Sequence, residues 1–186
     1  MEIRSKMKLT ILMAISLACF LLIAWQGFAS QKTLDKTQKA KLSVDTFIDA
    51  LKEGKVSKAE VYYYDWSAKP VHAIAESDLP KYCIYRITVR VNAPSENVLL
   101  QRVNMSLKKN KLLETQPKSV DFRLGCVFFS KDKELLRLFI SKEEPSVAIS
   151  GELFSADPDL VAAIMQFLPL DAYEEMSWGL LSDWAN

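Results

Sequence analysis

The densest group of chemically capable side chains in this 186-residue chain is Val61-Tyr62-Tyr63-Tyr64-Asp65-Trp66. Rings with a polar tip combine apolar area with one hydrogen-bonding group, which suits them to grip a peptide strand or stack on a sugar. Period-two strand geometry places Tyr62, Tyr64 and Trp66 on one face, and Val61, Tyr63 and Asp65 on the other. The first three are therefore a candidate binding row, although the same row also suits a core face. A second set closes the chain, where Tyr173, Met176, Trp178, Leu180, Leu181 and Trp184 stand among Asp171, Glu174, Glu175 and Asp183. Trp, Tyr and Met are frequent at binding hot spots. At helical spacing Tyr173, Leu180, Leu181 and Trp184 form an apolar face interrupted by Gly179. The competing reading docks this tail on its own body as a final core element.

Catalytic and metal chemistry is harder to assemble. His72 is the single histidine, set between Val71 and Ala73, with no His-x-x-x-His or Cys-x-x-Cys spacing to build a metal site. A Ser-His-Asp arrangement would have to use it, and no Gly-x-Ser-x-Gly elbow accompanies it. Only five glycines occur, too few for a phosphate-cradling loop. Asp157-Pro158-Asp159 reads as a helix start, where acids complement the dipole. Glu143-Glu144 reads as a solvated turn. Paired carboxylates about 5 to 10 Å apart could serve glycoside hydrolysis, but nothing in the spacing singles out a pair. No catalytic residue, metal ligand or cofactor is expected.

The N-terminus carries a different signal. Arg4, Lys6 and Lys8 precede an apolar run from Leu9 to Trp25, and no charge lies between Lys8 and Lys32. With Gly27-Phe28-Ala29 as a small-residue cleavage site, this is the layout of a secretory signal peptide cut after Ala29. An uncleaved anchor is the rival, because Leu9 to Gln31 at about 1.5 Å per residue would span a hydrocarbon core of about 30 Å. Basic residues on both flanks leave the positive-inside rule ambiguous. Leu17-Ala18-Cys19 resembles the lipobox of bacterial lipoproteins, but Ser16 replaces the usual Leu and the apolar run continues past Cys19. The expectation is an exported protein, periplasmic or secreted, with inner-membrane anchoring as the alternative. Membrane contact is expected only if the segment stays uncleaved.

Export frames the cysteines. Cys83 and Cys126 are the pair left after cleavage, and an even pair in an oxidising compartment normally joins. A Cys83–Cys126 disulfide is expected, worth about 4 kcal/mol for a loop of about 43 residues. Two buried free thiols are the alternative.

Charge is unevenly spread. Ser30 to Lys142 holds 21 basic and 13 acidic residues, whereas Glu143 to Asn186 holds nine acids and no Lys, Arg or His. Either the acidic segment folds back over the basic body, or one pole faces a charged partner with salt-sensitive steering. In an exported chain without a compact basic and aromatic cluster, nucleic acid is not expected as a partner.

The elements that must position these residues follow from periodicity. Residues 1–29 are the signal or anchor, residues 30–41 a Lys-rich linker, and residues 42–186 one globular domain. Ser43 is the expected N-cap of a helix to Lys52, with Val44, Phe47, Ile48 and Leu51 inward and Gly54 ending it. Strands are expected at Glu60 to Trp66, Val71 to Ala75 and Ile84 to Val91. A helix from Pro94 to about Lys109 follows, with Leu99, Val103 and Leu107 inward. Asp121 to Phe129 and Leu135 to Ile140 form a hairpin, and Val147 to Ser150 adds a short strand before Gly151. Ser155 or Asp157 then caps a helix with Pro158 in its first turn. Runs of strands rather than strict alternation indicate an α+β fold, an antiparallel sheet of about six strands with helices packed on one face. The function expected is a small exported non-enzymatic binding protein, of inhibitor or immunity type, acting through a protein partner. An envelope hydrolase with a carboxylate pair and a membrane-tethered structural module are the alternatives.

Overall fold

The computed structural model describes residues 35–94, 96–109, 111–116 and 119–184. The expected signal or anchor, its cleavage after Ala29 and Cys19 lie outside the described residues. The elements run α1 (Lys36–Lys52), β1 (Lys58–Tyr63), α2 (Leu79–Tyr82), β2 (Tyr85–Arg90), α3 (Val98–Lys109), β3 (Phe122–Ser130), β4 (Lys133–Ser141), β5 (Ser146–Ile149), β6 (Glu152–Ser155), α4 (Pro158–Met165) and α5 (Leu170–Asp183). Among the described residues the strands form one six-stranded sheet, ordered β2-β1-β3-β4-β5-β6, with every pairing antiparallel. The fold is α+β.

Strand alternation divides the interior in two. Ala59, Val61 and Tyr63 of β1, Leu124, Cys126 and Phe128 of β3, and Leu136, Leu138 and Ile140 of β4 point to one face. There they meet Phe47 and Leu51 of α1, Leu100 and Val103 of α3, Leu160 and Ile164 of α4, and Met176 of α5. The other face holds a smaller cluster, in which Tyr62, Val127 and Phe139 are covered by Ile74 and Leu79 from the segment between β1 and β2. The four longer helices thus share one face of the sheet, and a loop with one short helix caps the other.

Turn chemistry sets the registers. Gly54, at φ +69°, ends α1 in a Schellman arrangement, with Lys55 N–H donating to Ala50 O (2.8 Å) and Gly54 N–H to Leu51 O (3.1 Å). Ser150 and Gly151, both at positive φ, make the two-residue turn between β5 and β6. Of the two caps expected, Ser155 and Asp157, it is Asp157 that caps α4, accepting from Asp159 N–H.

Three expectations are corrected. The Lys-rich stretch from Lys36 to Lys41 is helical: α1 begins at Lys36, Ala40 is wholly buried, and Ser43 lies mid-helix with its hydroxyl on Lys39 O. Ala40 extends the Val44–Phe47–Leu51 stripe by one turn, so the lysines form the wet face of an amphipathic helix rather than a linker. Val71 to Ala75 is not a strand; Val71 is 91% exposed, and Ile74 is tied down by its N–H on Asp121 Oδ1 and its carbonyl under Phe122 N–H. The Cys83–Cys126 disulfide is not formed, and both thiols are free. Cys126 points into the helix-side core while Cys83 packs against the cluster on the opposite face, so the sheet stands between them.

Candidate functional site

Tyr62, Tyr64 and Trp66 do not form a row. β1 ends at Tyr63, and beyond it Asp65 Oδ1 accepts from Ser67 N–H (2.8 Å), Ser67 Oγ (2.6 Å) and Ala68 N–H (3.0 Å), an Asx-type turn that breaks the alternation. Trp66 therefore swings to the helix side, where it is 1% exposed. Tyr62 stays on the second face, buried, donating to Glu60 and lying beneath Arg86; burial first, then the Glu60 bond, pushes its phenol up to about 12. Tyr64 is half-buried, with the Arg123 guanidinium 4.9 Å from its ring centroid.

Arg123 holds this region together from inside. It is 1% exposed, and its fork meets Asp121 Oδ2 at 2.9 and 2.6 Å. Its remaining donors reach the carbonyls of Asp65 and Ala68. A buried cation is tolerable only when its partners are this complete.

The aromatic strand instead meets the acidic C-terminal helix. Tyr85 Oη donates to Asp171 Oδ2 (2.6 Å), Tyr63 Oη to Glu175 Oε2 (2.9 Å) and Trp66 Nε1 to Asp183 Oδ2 (2.9 Å). Asp171, Glu175, Gly179 and Asp183 recur every four residues and so share one stripe of α5. At Gly179 a Cβ would fall 2.0 Å from Trp66 Cδ1, so the missing side chain is what lets the indole lie against the helix. Glu175 Oε1 also accepts from Ser67 N–H (3.1 Å), which ties the helix to the Asx turn. Hydrogen bonding with Glu175 first, then Ser67, draws Asp65 down from 3.8 to about 2. Burial raises the Tyr63 phenol, and the Tyr85 bond lowers Asp171. Trp184 joins the dock, its Nε1 donating to Lys142 O (3.2 Å).

The acidic segment does fold over the basic body, but by a different chemistry from simple neutralisation. Its carboxylates on this stripe accept from phenol, indole and amide donors, and Lys39–Glu152 (2.9 Å) is an ion pair between the two halves. Tyr63 and Tyr85, partners in this dock, were not legible as site residues; their signal is the matching four-residue spacing of acids on α5.

The outward face of α5 is different. Trp178 is 75% exposed, Leu170 72% and Leu181 66%, with Tyr173 beside them at 37%. Helical spacing gathers Leu170, Trp178 and Leu181 around exposed Glu174. Beneath Trp178, a cleft of about 450 Å³ runs over Ser67, Lys142, Glu175 and Ser182. On the second face, a cleft of about 530 Å³ is lined by Tyr64, His72, Asp78 and Tyr82. No group of ligating side chains suited to a metal ion occurs among the described residues, and no described helix is long and apolar enough to cross a membrane. No family model matches the chain, and no curated protein or solved structure is similar to it.

Proposed function

We propose that this chain is a small exported binding protein whose outward α5 face, centred on Trp178 and Leu181, docks a protein partner. The observation that carries the reading is the doubling of apolar character on one helix. Ala172 and Met176 satisfy the core while Leu170, Trp178 and Leu181 remain in water. Large exposed apolar groups on an element already fixed to its body mark an interaction surface. The rigid carboxylate stripe underneath pre-organises that surface, which lowers the ordering cost of binding. Since Glu143 to Asn186 carries nine acids and no cation, the partner is expected to present an apolar socket rimmed by basic residues.

A hydrolase reading would need a carboxyl poised as an acid. Asp65 and Glu175 are the carboxylate pair brought closest to that role, since both accept from Ser67 N–H. Asp65 lies low, near 2, the wrong direction for a general acid near neutral pH, and both groups are committed to holding the turn and the helix.

The test is co-purification from envelope extract using the full chain and its Trp178→Ala/Leu181→Ser variant, each at low and high salt. A partner retained by the native chain, lost from the variant and weakened by salt is the expected result. Equal retention by both, or turnover of a glycan or peptide substrate without any retained protein, overturns the reading.

A further inference from the structure

The two edges of the sheet are finished differently. Along β6, Ser155 N–H donates to Leu113 O (2.8 Å), Thr115 N–H to Leu153 O (3.4 Å), and Glu114 bridges Phe154. The edge strand β2 has no such cover among the described residues. The Val91 N–H to Ser57 O bond fixes the phase of the β1–β2 ladder. Tyr85, Ile87 and Val89 spend their backbone groups on β1, and those of Arg86, Thr88 and Arg90 point away from the sheet. The side chains of Arg86, Thr88 and Arg90 are exposed on the second face, while Tyr85, Ile87 and Val89 are only half-buried on the helix face.

We propose that β2 accepts an extended segment of a partner protein as a seventh strand, with acidic residues opposite Arg86 and Arg90 and apolar residues at the alternate positions. Main-chain bonds to the outward groups of Arg86, Thr88 and Arg90 supply the affinity, and the two faces supply the specificity. Charge decides among occupants. A second copy pairing antiparallel about Thr88 sets Arg86 opposite Arg90 in both halves, and like charges directly opposite are destabilising. The same arginines attract an acidic strand: Arg90 makes no ion pair among the described residues, and Arg86 stays 60% exposed while touching Glu60 at 3.3 Å. Charged edges blunt unwanted pairing in general; here the blunting acts against self-association and admits a strand of opposite charge. β2 meets α5 through the Tyr85–Asp171 bond, but strand addition at this edge makes no use of Trp178 or Leu181.

The experiment titrates the full chain, by fluorescence anisotropy, with three labelled peptides: alternating valine and glutamate, alternating valine and lysine, and the glutamate peptide N-methylated on alternate amides along its pairing edge. The glutamate peptide is expected to bind about tenfold or more tightly than the lysine peptide, the worth of two favourable cross-strand charge pairs. N-methylation is expected to abolish binding. Thr88→Pro removes one outward N–H while sparing the ladder to β1, and is expected to weaken binding about tenfold with the melting curve unchanged. The native-protein result with the N-methylated peptide serves if that variant fails to fold. Equal affinity for the two charged peptides, undiminished binding after N-methylation, no binding of the glutamate peptide, or a native dimer dissociated by Thr88→Pro overturns the proposal.

Discussion

Alanine at position 179 is the sharpest substitution this structure offers. Helix propensity alone favours Ala over Gly by about 1 kcal/mol in a helix interior. The added Cβ would meet Trp66 Cδ1 at 2.0 Å and Nε1 at 2.5 Å, and overpacking of this kind costs about 1–3 kcal/mol. Gly179→Ala is therefore expected to lower the urea midpoint, whereas a gain in stability would show that Trp66 does not rest there. Asp65 contributes to the acid response, with Glu60 and Asp171, whose carboxyls are also held low. For Asp65 the folded value lies below the unfolded one, near 2 against 3.8, so its contribution is complete above about pH 5 and is lost as pH falls through about 4 toward 2. Thermal melts between these limits should fall more steeply for the native protein than for Asp65→Asn. The cysteines give a third outcome: with both thiols free, the unfolded, unreduced chain should take up alkylating label at Cys83 and at Cys126. Parity of cysteine count suggested a bond; strand phase, which sends Cys126 inward with Leu124 and Phe128, was the available evidence against it.

At the scale of elements, α5 is held by three carboxylate bonds and by the burial of Ala172 and Met176. Tyr63→Phe deletes one of those bonds and also the acceptor of the buried Trp66 N–H, while Glu175 still accepts from Ser67 N–H, so a loss of about 2–3 kcal/mol is expected in denaturant unfolding. Trp178→Ala, at a side chain left largely in water, should change stability by less than about 0.5 kcal/mol. The β3–β4 hairpin, β2 and α4 were legible because local signals specify them: alternation, a short polar turn expected over Ser130 to Lys133, and a Ser155 or Asp157 cap before proline, of which the structure uses Asp157. The start of α1 was not, because lysines on a wet helix face look like those of a linker until Ala40 is seen under the sheet. Val71 to Ala75 failed for a tertiary reason. Its alternation is real, but Asp121 side-chain bonding at Ile74 takes the place of a ladder, and Val71 is left in water. The aromatic row failed at one residue: Asp65 forms a turn, and period two stops there.

Over the whole molecule, composition foretold the opposed charges but not how they are used. The stripe Asp171–Glu175–Asp183 could be read from spacing, yet its partners Tyr85, Tyr63 and Trp66 are 86 to 117 residues away, a separation that only the fold closes. What remains outward is a hydrophobic face on an acidic helix, together with an open sheet edge lined by arginines. Trp178 is the most exposed large hydrophobic side chain of α5. The most direct measurement replaces Trp178 with a photo-crosslinking benzoylphenylalanine in the full chain, irradiates intact cells, and compares the adducts with those from the same group at Asp132 in the β3–β4 turn. One discrete protein adduct from position 178, absent from position 132, is the expected result. No adduct at 178, or the same pattern from both positions, would contradict it.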